Sequence, residues 1–297
     1  MTNEQRLAAT EAIDPRTRGL DLLGPHALVE TIIADSRGAL AAAERAAPAV
    51  AAAVELIVAR LARGGSLHYF GAGTSGRLAV LDAAEAPPTF GTPLELVQGH
   101  IAGGGLALTR ALEGVEDDAE AGEGDARDAV GESDAVVGIS ASGGAPYVLR
   151  ALQVARELGA ATIGICNDPK AELISFVDCA IVLETGPEVL AGSTRLKAGT
   201  AQKIVLNALS TATMVRLGKV YENLMVDVVA ANEKLRRRAI RLVCLLARVE
   251  EEPARALLEA GAGSVKVAVV MSRRGVDAAE ARALLDRQAG FLRGVIG

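Results

Sequence analysis

Aromatic side chains are scarce in this chain of 297 residues, which has three Tyr, four Phe and no Trp. The core must therefore be built mainly from Ala, Val, Leu and Ile. No basic stretch is interleaved with aromatic residues, and the formal net charge is −6, which argues against a nucleic-acid-binding protein. No apolar run approaches about 18 residues without a charge, so we expect no membrane-spanning segment.

Cysteine and histidine are equally sparse, with three of each. Cys166, Cys179 and Cys244 are scattered without metal-ligand spacing, so a metal site is not expected. We expect the thiols to be reduced and buried. The N-terminus lacks the apolar core of an export signal, which predicts a cytoplasmic protein.

Short apolar runs alternate with helical patterns along much of the chain. A helical pattern covers about 24–63, and further helical stretches follow residue 195, ending in three or more short helices over 240–297. The apolar runs lie at 67–70, 94–97, 135–139, 161–166 and 179–183. Strands alternating with helices predict a doubly wound α/β fold, a five-stranded parallel sheet covered on both faces. Ligands of such sheets bind beyond the carboxyl ends of the strands.

A glycine-rich loop, GAGTSGR at 71–77, directly follows the first apolar run. Its glycines permit a tight turn and close approach to a ligand, and the helix that follows offers free N–H groups to an anion. The loop matches neither the P-loop nor the dinucleotide fingerprint. A phosphate cradle and a plain strand-to-helix turn are equally good interpretations of this loop taken alone.

Two more hydroxyl-rich loops open helices, SASGG at 140–144 and the segment 186–200. Right-handed crossovers bring all three loops to one edge of a parallel sheet, where their hydroxyls favour a phosphorylated ligand. No Walker lysine is present, so a phosphosugar fits better than ATP. The alternative is that these hydroxyls only cap helices. The candidate ligand contacts are Gly73, Thr74, Ser75, Ser140, Ser142, Ser193 and Thr194, with Glu188 as a partner for sugar hydroxyls.

Two carboxylates are candidates for acid–base chemistry. Glu85 precedes Pro87 and Pro88, which predicts that it lies near the C-terminal end of a helix, where the helix dipole would raise its pKa as a general acid requires. Glu116 lies in EGVEDD at 113–118, just before an acidic helix that runs to about Asp128. The alternatives are a surface glutamate at a helix end and ordinary dipole-complementing acids.

Long motifs then carry a family resemblance. The segments at 71–78, 82–90, 113–118, 140–143 and 220–234 closely resemble the N-acetylmuramic acid 6-phosphate etherases. The stretch GPEVLAGSTRLKAGTAQK at 186–203 resembles the signature that this family shares with the glucokinase regulatory proteins. The resemblance covers nearly the whole chain.

The resemblance implies a sugar isomerase (SIS) domain at 59–220, preceded by a helical segment at 1–58. A connecting helix and a small ubiquitin-associated-like bundle are implied at 221–297. It further implies a cytoplasmic homodimer with sites near its interface, and no metal or organic cofactor. The implied enzyme is a carbon–oxygen lyase of cell-wall sugar recycling, which cleaves the D-lactyl ether of N-acetylmuramic acid 6-phosphate. By family position, Glu85 protonates the lactate oxygen and Glu116 removes the proton at C2.

Two other functions share this kind of site. One is a non-catalytic phosphosugar-binding regulator, and the other is an aldose–ketose isomerase. The presence of both Glu85 and Glu116 favours the etherase, and the chain is too short for the two SIS domains of the regulators. An isomerase needs a base at C2 but no acid over a C3 substituent.

Overall fold

The computed structural model describes residues 8–229 and 232–297. A five-stranded parallel sheet has the order β2-β1-β3-β4-β5. Its strands are β1 (Leu67–Gly71), β2 (Val97–Ile101), β3 (Ala135–Ile139), β4 (Ala161–Cys166) and β5 (Cys179–Val182). Every residue of β1, β3 and β4 is buried, so both faces of the sheet are covered and the predicted α/β fold is confirmed. A two-stranded hairpin follows, formed by β6 (Val220–Tyr221) and β7 (Leu224–Met225).

Twelve α-helices lie in the described residues. They are α1 (Pro25–Asp35), α2 (Arg37–Leu61), α3 (Gly73–Phe90), α4 (Gly104–Ala107), α5 (Ala119–Ala129), α6 (Pro146–Glu157), α7 (Lys197–Arg216), α8 (Glu233–Ala247), α9 (Glu251–Ala260), α10 (Val265–Arg274), α11 (Ala278–Arg287) and α12 (Arg293–Ile296). None of the helices in this described part of the chain is long and apolar enough to cross a membrane. The helical pattern at 24–63 is confirmed as α1 and α2, which meet at Ser36.

The second strand lies further along the chain than predicted. The apolar run at 94–97 touches β2 only at Val97, and Leu94 is exposed. As one of the two edge strands of the sheet, β2 has a neighbour on one side only, through the Leu67–Val97 register, and it tolerates the polar side chains of Gln98 and His100. Hydrophobicity therefore located the inner strands accurately but missed most of this edge strand.

Helix α3 continues through Pro87 and Pro88 to Phe90, so the prediction that the prolines stop the helix is wrong, although Glu85 still lies towards its C-terminal end. Two prolines near the end of a helix remove two intrahelical hydrogen bonds and crowd the preceding turn, which usually drives the residue before them out of the helix. Here the helix continues two residues past Pro88, to Phe90. The effect of the helix dipole on a side chain is confined to the last turn. Glu85 lies before that turn, so it is not at the position that the two prolines predicted.

The chain divides into two compact units. The first comprises the described residues up to Ala84 together with Glu95–Ser210 and contains the five-stranded sheet. The second comprises Glu85–Leu94 and the described residues from Thr211 to Gly297, and its core is formed by side chains of α8 to α12 and the hairpin region.

The cysteines are free thiols, but only Cys166 is buried, whereas Cys179 and Cys244 are half-buried. The expectation of three buried thiols is therefore correct only for the cysteine that ends β4.

Candidate phosphosugar site

The first loop is a tight turn between β1 and α3 that depends on two glycines. A Cβ on Gly71 would lie 2.7 Å from the backbone nitrogen of Gly76, and one on Gly76 would lie 2.6 Å from the Gly71 carbonyl oxygen. Neither position accepts a side chain. Glycine at both positions therefore allows α3 to begin directly beyond β1. The N–H groups of the first turn of α3 have no partners within the helix, which makes this edge of the sheet suitable for an anion.

The second loop presents two serine hydroxyls whose oxygens are held by the backbone. Ser140 Oγ accepts the N–H of Gly143 at 3.1 Å, and Ser142 Oγ accepts the N–H of Gly144 at 3.3 Å. The two Oγ atoms are 3.5 Å apart, so at most one of their two protons is shared between them and the other remains for a ligand. Neither serine caps α6, whose N-cap is Ala145 without a side-chain bond.

The third loop is fastened by a fully buried carboxylate. Glu188 accepts the N–H of Lys197 at 2.9 Å and that of Ala198 at 2.8 Å, at the start of α7. Lys197 Nζ in turn donates to Asp35 at 2.8 Å and to the Pro187 carbonyl at 2.7 Å. The sequence had placed Glu188 against sugar hydroxyls, whereas the structure uses both of its oxygens to begin α7.

A buried chain of hydrogen bonds connects the first loop to the ends of β4 and β5. The Asn167 amide nitrogen lies 3.1 Å from the Leu183 carbonyl oxygen. Because a carbonyl oxygen can only accept, the Asn167 amide nitrogen must donate. Asn167 Oδ1 therefore accepts from Gln202 Nε2 at 2.9 Å, and Gln202 Oε1 accepts from the Ser75 hydroxyl at 2.8 Å. The single proton of Ser75 is thus committed to Gln202, and its oxygen offers only lone pairs to a ligand.

The three loops meet at a cavity of ≈ 200 Å³ within the first unit. Both serines of the second loop line this cavity. The other predicted residues that line it are Gly73, Thr74, Ser75, Glu116 and Thr194. Sequence reasoning missed six further lining residues, namely Thr10, Glu11, Ala72, Ile139, Ala141 and Ala145. Thr10 and Glu11 belong to a 3-10 turn, Ala9–Glu11, whose irregular sequence gives no periodic signal.

Glu116 reaches the cavity from a 3-10 turn, Val115–Asp117, that follows Gly114 in a left-handed conformation at φ 76°. Arg77 tethers the preceding segment to α3, since its guanidinium donates to the Leu108 and Arg110 carbonyls at 3.3 and 2.7 Å. Asp118, rather than Glu116, caps α5 by accepting the N–H of Ala121 at 2.9 Å. The Glu116 carboxylate is therefore available to a ligand.

The remaining predicted residues do not line this cavity. Glu85 is exposed on α3 and belongs to the second unit. Ser193 is half-buried in the third loop, where its N–H donates to the Leu190 carbonyl at 3.0 Å. The cavity of the first unit therefore contains one of the two predicted carboxylates, Glu116.

Thiolate chemistry is excluded for the one cysteine close to these loops. Cys166 ends β4, and burial raises the pKa of its thiol to about 12. A thiol that stays protonated at neutral pH is not a nucleophile. No three His, Cys, Asp or Glu side chains are grouped to hold a metal ion among residues 8–229 and 232–297.

Comparison with known proteins identifies the family. The glucokinase regulatory protein N-terminal SIS domain matches residues 49–156, and the SIS domain matches residues 108–212. The chain is 49% identical over 298 residues to the N-acetylmuramic acid 6-phosphate etherase of Deinococcus radiodurans, covering 100% of this chain and 97% of that protein. The chain belongs to the N-acetylmuramic acid 6-phosphate etherase family.

A second etherase of the family, from Serratia proteamaculans, is 50% identical over 289 residues, which cover 97% of both chains. Among solved structures, the c3406 protein of E. coli CFT073 has a similar fold. The structural match covers 68% of this etherase family member and 97% of the c3406 chain. The two are 19% identical with a TM-score of 0.50, so the likeness concerns the fold alone.

Proposed function

We propose that this chain cleaves the D-lactyl ether of N-acetylmuramic acid 6-phosphate, giving N-acetylglucosamine 6-phosphate and D-lactate. Membership of the etherase family supports the substrate. The observation that carries the proposal is the cavity of the first unit, in which Glu116 and hydroxyl side chains of three separate loops line one space. Such a cavity suits a ligand with a phosphate at one end and a reacting carbon near a carboxylate.

The hydroxyls divide between donors and acceptors. Ser140 and Ser142 have a proton to donate and, with Thr74 and the N–H groups at Gly73, bind the phosphate. Ser75 has only lone pairs left, so it accepts from a sugar hydroxyl or the acetamido N–H. Thr194 of the third loop, which lines the cavity, binds the sugar, and Glu188 contributes indirectly by holding the start of α7.

The chemistry is an elimination followed by addition of water. In the open-chain sugar, the C1 aldehyde acidifies the proton at C2, which the Glu116 carboxylate removes. The electron pair forms a C2–C3 double bond as the C3–O bond breaks, and Glu85 donates a proton to the departing lactate oxygen. Water then adds across the double bond, placing hydroxyl on C3 and hydrogen on C2. The assignment of Glu85 is supported by the family resemblance.

Lactate release and deuterium incorporation at C2, measured together in D2O, test the two roles separately. Without its base, Glu116→Gln should lose both lactate release and C2 exchange by about 10²-fold or more. Without the acid, Glu85→Gln should lose lactate release to a similar degree but still exchange the C2 proton of the substrate. Glu113→Gln is the matched control, because Glu113 is an exposed carboxylate three positions from Glu116 that does not line the cavity.

Three results would contradict the proposal. Wild-type protein that binds the sugar phosphate without releasing lactate would indicate the phosphosugar-binding regulator. Conversion of an aldose phosphate to a ketose phosphate would indicate an isomerase. Lactate release that survives both substitutions would keep the etherase but remove Glu116 and Glu85 from its mechanism.

We further propose a cytoplasmic homodimer with sites near the interface, acting in the recycling of cell-wall sugars, and the domain limits 1–58, 59–220 and 221–297. Residues 1–7 and 230–231 of these ranges lie outside the described residues. Sedimentation at micromolar concentration tests the assembly, and a monomer at full activity would contradict it.

A further inference from the structure

Two side chains reach the cavity from near the start of the described chain. Thr10 and Glu11 belong to the 3-10 turn Ala9–Glu11, near the start of the described chain. The backbone N–H of Ala9 anchors this turn by donating to the buried carboxylate of Asp168 at 3.1 Å. Asp168 lies two residues beyond β4, so the turn is fastened to the same edge of the sheet as the loops.

Thr10 carries an unpaired polar group. The residue is 1% exposed, and its Oγ1 has no hydrogen-bond partner among the described residues. Buried hydroxyls without partners are unfavourable and rare, so each requires an explanation. Because Thr10 also lines the cavity, an acceptor atom of a bound ligand would supply the hydrogen-bond partner that this hydroxyl lacks.

Glu11 lies against the third loop at Gly192, whose positive φ favours glycine. A Cβ on Gly192 would lie 2.9 Å from Glu11 Oε2, and Gly192 has a φ of 74°. No cation pairs with this carboxylate in the part of the chain that the structure describes. Glu11 and Glu116 are thus the two carboxylates that line the cavity of the first unit.

We propose that Thr10 and Glu11 contact the phosphosugar directly, Thr10 by donating a hydrogen bond to a ligand oxygen and Glu11 by accepting a hydrogen bond from a sugar hydroxyl. The inference rests on the proposed function for the class of ligand. A carboxylate repels a phosphate dianion, so Glu11 binds the hydroxyl-bearing part of the sugar while Ser140 and Ser142 hold the phosphate. The N-terminal turn then discriminates a sugar phosphate from free phosphate.

Calorimetric titration with N-acetylglucosamine 6-phosphate, combined with thermal unfolding, tests the Thr10 contact. Thr10→Val keeps the shape but removes the hydroxyl, so the Kd should rise about 10-fold while the unfolding midpoint without ligand stays equal or increases. Thr10→Ser should restore binding. Thr213→Val is the matched control, since Thr213 is also a buried, unpartnered hydroxyl but belongs to the second unit and does not line the cavity.

Inorganic phosphate as a second probe tests Glu11. Glu11→Gln should raise the Kd for N-acetylglucosamine 6-phosphate several-fold. The Kd for inorganic phosphate should not change, because no contact to the phosphate is lost. An unchanged Kd in both Thr10→Val and Glu11→Gln would overturn the proposal, as would a Thr10→Val variant that loses stability and affinity together. Wild-type protein that fails to bind the sugar phosphate would overturn it as well. Failure of lactate release alone would overturn only the proposed reaction, since these titrations do not depend on turnover.

Discussion

The Ser75 hydroxyl illustrates how a buried neighbour decides what a side chain offers to a ligand. A serine in a glycine-rich loop is ordinarily expected to donate to phosphate, and the sequence alone supports that expectation. The Leu183 carbonyl, more than one hundred residues away, fixes the direction of every hydrogen bond between it and Ser75. Such a long-range constraint has no local sequence signal.

Asn167→Asp tests this chain of hydrogen bonds, because it preserves shape while replacing the donor toward Leu183 with an acceptor. With the new carboxylate fully buried, we expect a loss of about 3 kcal/mol in the free energy of unfolding at pH 7.5. Burial raises the pKa of the new carboxyl, so the deficit should shrink as the pH falls and a protonated oxygen regains the donor. Urea unfolding at pH 7.5 and 5 measures both effects. Wild-type stability in the variant, or a Ser75 deuteron directed into the cavity by neutron diffraction, would contradict the assigned direction.

A histidine pair on neighbouring strands, with His68 buried and His100 half-buried, predicts acid sensitivity of the first unit. His100 Nε2 lies 3.2 Å from His68 Nδ1, and its ring stacks on Phe70 at 4.3 Å. Burial, with a smaller contribution from His68, lowers the pKa of His100 to about 4. Since the unfolded chain binds this proton near pH 6.5, stability is complete above that pH and is lost as the pH falls toward 4.

His100→Gln removes this titration, so it should lose less stability than wild type on acidification. Between pH 7.5 and 5 the difference is expected to be about 2 kcal/mol, measured by urea unfolding at each pH. His26→Gln removes an exposed imidazole on α1 and serves as the control. Equal losses in wild-type protein and His100→Gln would show that His100 is not the group that titrates.

At the scale of elements, helix α7 shows how a buried acid can fasten the start of a helix. Glu188 and the backbone of Lys197 and Ala198 form two charge-assisted hydrogen bonds at the helix start. Glu188→Ala should therefore cost about 2–3 kcal/mol of stability, and Glu188→Gln, which keeps one acceptor, about half of that. Thermal unfolding measures the loss, with the exposed Glu184 of the same segment as the site of a control substitution, Glu184→Ala.

Kinetics distinguish the two roles considered for Glu188. A helix-capping residue changes the amount of folded enzyme but leaves the KM of the folded fraction close to the wild-type value. A contact to sugar hydroxyls would raise the KM of Glu188→Gln by tenfold or more without loss of stability, and that result would return Glu188 to the ligand site.

The elements that the sequence predicted well are those whose hydrophobic pattern is set by burial on both sides. β3 and β4 lie at the predicted residues, because they are buried by neighbours on both sides and almost all of their residues are apolar. The position of β2 was predicted poorly, because this edge strand includes half-buried polar residues that interrupt the hydrophobic pattern. The end of α3 was predicted poorly, because the helix continues through two prolines. The loops that line the cavity could be found from glycine and hydroxyl content, whereas Thr10 and Glu11 depend on a contact to Asp168 far along the chain.

At the scale of the whole molecule, each of the two compact units contains a hydrophobic cluster among the residues that the structure describes. One lies on the sheet of the first unit and includes Phe70, Val136 and Leu152. The other belongs to the second unit and includes Val243 and Val269. The cavity assigned to the phosphosugar is lined by residues of the first unit, so ligand binding and the second core can be perturbed independently.

Differential scanning calorimetry should therefore resolve two transitions that respond to different perturbations. N-acetylglucosamine 6-phosphate at about 100 times its Kd stabilises the state that binds it by about 2.7 kcal/mol, which should raise the transition of the first unit by about 5–10 °C. Val243→Ala removes fully buried methyl groups and should lower only the transition of the second unit. If either perturbation moves both transitions equally, or if a single transition is observed, the two cores unfold as one cooperative structure. In that case, the ligand would stabilise the helical bundle as much as the sheet, and substitutions in the bundle would weaken sugar binding through stability alone.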